Sequence, residues 1–560
     1  MSVFIGYPSF MAYQMMKGKK DNNEGFPTIP GTIARYSALG LTNEEMSKNP
    51  VWVDKTGNDH DLQMKNFAWG GMSGVNGYVQ NFNYFRNNST VDKVRIDEQS
   101  SNSIKVTLLT SGMGHVIYIP KDVYQFNKSY FIKISSEGYN EGDLFLSFYA
   151  PSTSTATTVK VPLNPNGITE IPAIKEDDFL AVYLFNAAGK VGSITIEQLP
   201  LYPGALVFDG VDDCGVCDNF PILTKEKGYT VVVLRQWDQD FLNTTLTGGL
   251  LSTRNYSTGE GVAFEKIESS NKGYWNLGAG GIIDFAKSPF TWQTSKQYNN
   301  VGILKGDKNH GKPLCVGCGL SGGQQCGRFA IWELVFLDHD ATEEELTKIK
   351  DYFVKTYPWL FPDKAWTVTG KTNEDEDRAT IANITGNGND LVLSNFGFAE
   401  GSGYNEEGEY AGYLVTDGVD DKIISSIFKM GNDWTVIGDW ELINTGKNDN
   451  AGIVKFDSIV IYNYNYNSML INIKNGRNIL IPDQNTVNAI CSDGRIYSKD
   501  WKESIYNEET ESTSKNFLTI GYSGNTYTKI AFKNLAIYPT VLSREDCIKA
   551  YNYLQTLKAK

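Results

Sequence analysis

No apolar run in this 560-residue chain approaches the roughly 18 to 20 residues that a membrane-crossing helix requires, which excludes membrane insertion by helices. Basic residues are in deficit. Lys and Arg number 51 against 65 Asp and Glu, a net charge of −14, and no basic stripe is present to displace counterions from a nucleic-acid backbone. Histidine is scarce: His60, His115, His310 and His339 each stand away from any Cys or Ser in a nucleophile motif, so they read as solvated or core residues. Seven cysteines, an odd number in a long chain, give no disulfide framework and point to assembly in a reducing cytoplasm. No heptad repeat fixes an oligomer number. The first residues, Met1 to Lys17, carry no basic residue ahead of their apolar part and are broken by Gly6 and Pro8, a poor secretion signal. They read as an apolar arm that docks on a partner or a neighbouring subunit, with a disordered terminus as the alternative.

The chain does contain one module twice. Tyr202-Pro-Gly-Ala-Leu-Val-Phe-Asp-Gly-Val-Asp-Asp213 returns 208 residues later as Tyr410-Ala-Gly-Tyr-Leu-Val-Thr-Asp-Gly-Val-Asp-Asp421, with nine of twelve positions identical. A second pair, Thr56 to Phe67 and Thr385 to Phe396, is offset by 329. The difference, 329 − 208 = 121 residues, is the size of a small domain, so the first copy carries an insertion between Phe67 and Tyr202. Each copy closes on an alternating strand and a helix start. Thr342 lies three residues before Glu345, and Ser543 three before Asp546, the spacing of a helix N-cap. Leu346, Ile349, Tyr352 and Phe353, and then Ile548, Tyr551 and Leu554, give each helix an apolar face.

Abundant aromatics and the turn dipeptides Asp209-Gly210, Asp417-Gly418 and Asp493-Gly494 between short apolar runs are an all-β signature. The inserted segment has its own rhythm: Tyr130, Ile132 and Ile134 alternate with Phe131 and Lys133, and Leu144, Leu146 and Phe148 with Phe145 and Ser147. It reads as a separate β-sandwich whose ends lie close together, since they enter and leave one loop of the host. The domain expectation is an arm over 1–29, a first module over 30–79 and 200–362, the insert over 80–199, and a second module over 363–560.

Cys214-Gly-Val-Cys217 and Cys315-Val-Gly-Cys318 are two close pairs that a fold could gather around zinc. Buried free thiols are the other reading, favoured because the second module has Lys422, Ser425, Leu518 and Gly521 at these places. Trp69, Tyr78 and Tyr404 flank the insertion point or its counterpart, and Tyr462, Tyr464 and Tyr466 alternate with asparagines on one strand face. These are candidate glycan-binding aromatics; a core-facing tyrosine row is the alternative for the last three.

An opening strand ending in Phe208-Asp-Gly-Val-Asp-Asp213 or Thr416-Asp-Gly-Val-Asp-Asp421, the late Leu518-Thr-Ile-Gly-Tyr-Ser-Gly524, and a closing strand followed by Leu542-Ser-Arg-Glu545 resemble the laminin-G-like, concanavalin A-like lectin/glucanase superfamily. The resemblance covers both copies and implies two jelly-roll sandwiches in an all-β chain. The insert is similar to carbohydrate-binding modules of the galactose-binding-like type. Laminin-G-like modules sometimes hold calcium at a rim, for which Asp209, Asp212 and Asp213, with Asp417, Asp420 and Asp421, are the candidate ligands; turn closure alone is the alternative.

Modules of this kind behind a short arm are similar to virion structural proteins of tailed phages that infect gut Bacteroidota. The implied protein is a fibre, spike or tail appendage, made in the host cytoplasm and carried on the virion. It would attach to other virion proteins through the arm, bind host-surface polysaccharide, and assemble as a dimer or trimer. A bacterial surface or secreted glycan-binding protein, a glycan-cleaving enzyme and purely architectural virion decoration are the alternatives. Catalysis is not expected: Glu374-Asp-Glu-Asp377 sits in a polar loop and Glu343-Glu-Glu345 at a helix start, so neither sets two carboxylates across a scissile bond.

Overall fold

The computed structural model describes residues 25–88, 92–112, 114–150, 157–176, 179–223, 227–253, 263–266, 272–275, 282–284, 290–294, 313–320, 324–399, 401–408, 410–443, 452–456, 459–465, 468–473, 477–481, 487–498, 501–505, 518–523 and 526–559. Strands dominate, as the composition predicts. Among the described residues the α-helices are Asn43–Lys48, Gln239–Leu242, Glu343–Thr356 and Arg544–Gln555.

Each copy of the repeat forms two sheets around an apolar core. In the first, the Thr230–Trp237 strand pairs antiparallel with Arg328–Leu337, with an irregularity between Leu234 and Arg235. In the second, Thr435–Leu442 pairs with Ile530–Tyr538, with the irregularity between Asp439 and Trp440. The two copies thus share a bulge as well as a strand order, and the repeated sequence reproduces backbone detail. Thr342 Oγ1 accepts from the backbone N–H of Glu345 while Glu345 accepts from that of Thr342, a complete capping box. Ser543 Oγ accepts from Asp546 in the same way.

The inserted segment contributes two five-stranded antiparallel sheets. One runs Val159–Pro162, Leu144–Tyr149, Ala181–Asn186, His115–Pro120, Arg86–Asn87; the other runs Ile168–Ile171, Tyr130–Ser136, Gly192–Gln198, Ser103–Leu108, Val94–Gln99. Ile132, Ile134, Leu144, Leu146 and Phe148 are buried between them, so the period-2 alternation marks the inner faces. The chain enters and leaves at one point. Gln80 and Gln198 exchange amide hydrogen bonds there: Gln198 Oε1 accepts from the Gln80 N–H at 2.9 Å, and Gln198 Nε2 donates to the Gln80 carbonyl at 3.0 Å.

A core shared by all parts holds the insert and both modules together. Ile349, Phe353 and Tyr357 of the first module, Tyr551 and Leu554 of the second, and Phe131 from the outer face of the Tyr130–Ser136 strand belong to one buried cluster. Phe131 meets Tyr551 edge to face with ring centroids 5.4 Å apart. The insert therefore docks through one sheet, and the outer face of its other sheet is turned away from this joint. Phe26 and Ile29, within the expected arm, are buried in the same cluster, so the arm boundary is corrected to lie before them. The arm itself, to residue 24, lies outside the described residues.

Two expectations about cysteine are corrected. Cys318 and Cys326 are joined by a disulfide, so the chain is not wholly reduced. The four proposed zinc ligands do not converge. Cys214 and Cys217, three apart on one strand, point to opposite faces: Cys214 lies with Cys315, Cys318 and Cys326, whereas Cys217 packs in the first module's main core and donates to Asn219. The Cys318 sulfur is already bonded to that of Cys326 and offers no thiolate, so Cys214, Cys217, Cys315 and Cys318 cannot form a four-thiolate zinc site.

Candidate functional site

The repeated Asp-Gly-Val-Asp-Asp segment forms the same turn in both modules. Gly210 and Gly418 take the left-handed φ of +79° and +76° that their residue type permits without strain. Val211 and Val419 stand at the tips, each 69% exposed. The last acid turns inward and locks the loop. Asp213 is fully buried and accepts from the Asp209 N–H at 3.0 Å and from Ser73 Oγ at 3.0 Å; Asp421 accepts from the Asp417 N–H at 2.7 Å and from Ser402 Oγ at 3.1 Å. Ser73 and Ser402 belong to loops that are also equivalent, where Asn66 and Asn395 donate to the carbonyls of Asp212 and Asp420, each at 3.0 Å.

The expected calcium ligands are thus brought together: one oxygen each from Asp209, Asp212 and Asp213 lies within 4.8 Å of the others, as for Asp417, Asp420 and Asp421. Three carboxylates at that spacing could share a cation. The hydrogen bonds these acids already make account for the turn by themselves.

Burial, with repulsion from Asp209, pushes the Asp213 carboxyl up to about 8, and burial pushes Asp421 up to about 6. Since an unfolded Asp titrates near pH 4, the folded chain retains a proton at Asp213 that the unfolded chain has released. The stabilisation this gives is full below about pH 4 and is lost as pH rises towards about 8. The stability of the wild type relative to Asp213→Asn is therefore expected to fall as pH rises through that window. Thermal unfolding across it checks this; a pH-independent gap would contradict it.

The sequence-derived aromatic candidates are not gathered into one surface. Trp69 stacks on Phe67, centroids 4.7 Å apart, and packs against the first core. Tyr78 is buried, its hydroxyl accepting from Asn76. Tyr404 is buried beside Phe398, and its hydroxyl donates to the Arg378 carbonyl at 2.7 Å. Tyr462 and Tyr464 lie on the Ile459–Asn465 strand, of which only the backbone is described, and Tyr466 lies outside the described residues.

A denser aromatic surface sits on the insert, on the outer face of the sheet turned away from the joint. Strand register aligns Lys160, Ser147, Tyr183, Tyr118 and Arg86 in one cross-strand row, and Pro162, Phe145, Phe185 and His115 in the next. Tyr149 flanks them. The His115 ring lies 4.5 Å from Tyr183, 5.1 Å from Phe185 and 5.6 Å from Tyr149, and Tyr118 lies 5.6 Å from Tyr183. The rings of His115, Tyr118, Phe145, Tyr149, Tyr183 and Phe185 are all half-buried.

His115 and Tyr118 are three residues apart and would face opposite ways on a regular strand. An irregularity opposite Tyr183 and Phe185 inserts one extra residue, so Val116 and Ile117 are both buried while His115 and Tyr118 share the outer face. Ser147, fully buried beneath the rings, has a hydroxyl with no hydrogen-bond partner among the described residues. Desolvation, reinforced by the nearby Lys160 charge, lowers the His115 pKa and favours the neutral imidazole. The arrangement offers flat ring faces for carbon–hydrogen surfaces, with hydroxyl, imidazole, ammonium and guanidinium groups around them for polar contacts.

No protein-family model matches this chain, and no curated protein matches it. Solved structures similar to it include one described as HCR/D-Sa-GBL1/C, at 15% identity and TM-score 0.26 over 34% of this chain and 52% of that one. Another is the botulinum neurotoxin type G receptor-binding domain, at 12% identity and TM-score 0.22 over 34% and 50%. The chain thus spans about half the length of these two. A third is the Trypanosoma rangeli sialidase in complex with sialic acid, at 9% identity and TM-score 0.25 over 86% of this chain and 97% of that one. These are likenesses of β-sheet architecture and assign no residue a role. They do correct one expectation: a structure aligned over most of this chain is an enzyme, so the exclusion of catalysis drawn from the acidic motifs does not stand.

Proposed function

We propose that the protein binds glycans, and that the outer aromatic face of the insert, centred on Tyr183, is the contact surface. The observation that carries this is the clustering of His115, Tyr118, Tyr149, Tyr183 and Phe185 on a sheet face directed away from the rest of the molecule. A face of this kind suits a sugar because pyranose rings present both an apolar surface and hydroxyls, and tyrosine offers both complements at low conformational cost. The finer reading adds two laminin-G-like, concanavalin A-like modules on a tailed-phage particle that adsorbs to host polysaccharide, with the arm contacting other virion proteins. Support for it is the sequence resemblance and the doubled module, since paired modules on an oligomeric appendage would add avidity to weak contacts.

The test is retention of the full-length protein on immobilised polysaccharides, followed by titration of those retained. Tyr183→Ala is expected to weaken binding by about tenfold or more, equivalent to about 1.4 kcal/mol, with the thermal midpoint little changed. Trp69→Ala, at the rim of the first module, is expected to leave affinity as it is. Binding insensitive to Tyr183→Ala and lost with Trp69→Ala would move the contact to the module rims and overturn the assignment.

A further inference from the structure

We infer that the glycan held by this face is acidic, an oligosaccharide bearing carboxylate or sulfate groups; the inference rests on the aromatic face being the contact surface. The cross-strand rows fix which side chains share the face. Lys160 closes one end of the central row and Arg86 the other, with Tyr183 and Tyr118 between them, and His115 lies in the adjacent row. No position in these rows is acidic. In a chain where acids outnumber bases 65 to 51, that is a local reversal of sign on this aromatic face.

The two bases are placed for a ligand. Lys160 and Arg86 are exposed, and neither has a carboxylate partner among the described residues. The Lys160 ammonium sits 4.1 Å from the centre of the Phe185 ring and 6.0 Å from that of Phe145, so its stem lies along the platform and its charge at the edge. A sugar stacked on Tyr183 would thus have a cation at either end of the row. An apolar protein segment would gain from the rings but would leave both cations without a counter-charge. A neutral glycan would use the rings and gain little from the charges. An acidic glycan uses both, and charge-assisted hydrogen bonds to carboxylate or sulfate are the stronger kind.

The experiment titrates the full-length protein with a polyuronate, a sulfated polysaccharide and a neutral polysaccharide of similar length, each at low and at physiological ionic strength. Either acidic polymer, or both, is expected to bind about tenfold or more tighter than the neutral one, and to weaken as salt screens the exposed charges. Which of the two binds tighter identifies the acid group. The double variant Lys160→Glu/Arg86→Glu is expected to lose about tenfold or more towards the acidic polymer and little towards the neutral one. Lys160→Gln/Arg86→Gln should lose less, and both should keep the wild-type unfolding midpoint. Tyr183→Ala should weaken all glycans that bind. Equal affinity for neutral and acidic polymers, with no effect of charge reversal but loss on Tyr183→Ala, would overturn the acidic class and leave the contact surface standing. No effect of Tyr183→Ala on any polymer would remove the surface itself.

Discussion

Arg35→Ala is expected to destabilise the protein by about 3–5 kcal/mol, the cost of leaving a buried charge without its partner. Arg35 and Glu333 are both buried. Arg35 Nε and Nη2 donate to the two Glu333 carboxylate oxygens, each at 3.1 Å, and the guanidinium lies 4.3 Å from the centre of the Phe26 ring. Tyr357 donates to the same carboxylate at 2.8 Å. Burial raises the Glu333 pKa and Arg35 opposes that rise, so without Arg35 the carboxyl is driven further towards its neutral form. Part of the lost stability should return as pH falls and Glu333 protonates.

The second module builds the corresponding corner without this ion pair. There Asn534 lies opposite Asp439 as Glu333 lies opposite Leu234, and Ala365 pairs with Ala536 as Arg35 pairs with Val335. The double variant Arg35→Ala/Glu333→Asn should therefore be more stable than Arg35→Ala alone. Denaturant unfolding of the three proteins measures this; a single variant within about 1 kcal/mol of wild type would contradict the assignment of a buried ion pair.

Tyr551→Ala is expected to cost about 3–4 kcal/mol, in the range of a fully buried aromatic removed from a core. Its consequence reaches beyond the second module, because Tyr551 touches Phe131 of the insert at 5.4 Å and Trp501 of its own module at 5.5 Å. Removing it takes away the ring on which the insert's docking sheet rests. The insert should then become an early site of cleavage in limited proteolysis while glycan affinity, which depends on the opposite sheet, is retained. Unchanged stability together with an unchanged cleavage pattern would show that the shared core does not hold the insert.

The elements whose origin is local were readable from residues. Thr342 with Glu345 and Ser543 with Asp546 form the caps their spacing implies, and the alternation at Tyr130 to Ile134 marks an inner sheet face. The repeated Asp-Gly-Val-Asp-Asp segment gives matching turns because its hydrogen bonds close within a few residues. What required long-range pairing was not readable. Cys214 and Cys217 look like a ligand pair until the strand places them on opposite faces. Trp69, Tyr78 and Tyr404 look available, yet sequence does not reveal the core behind Trp69, the Asn76 beside Tyr78 or the Arg378 carbonyl that Tyr404 reaches. The aromatic face of the insert was hidden for a sharper reason. Its rings come from three strands that are neighbours only after folding, and a bulge reverses the side His115 would otherwise take. The one available signal was the odd positions of the Leu144–Tyr149 strand, where Phe145 and Tyr149 are too apolar for a solvated outer face.

The most direct measurement is a crystal structure of the full chain with a bound oligosaccharide taken from the polymer that binds tightest. A sugar ring is expected stacked over Tyr183 and Tyr118, with its acidic group towards Lys160 or Arg86. Sugar bound at the Asp209 or Asp417 turn, with the Tyr183 face bare, would contradict it.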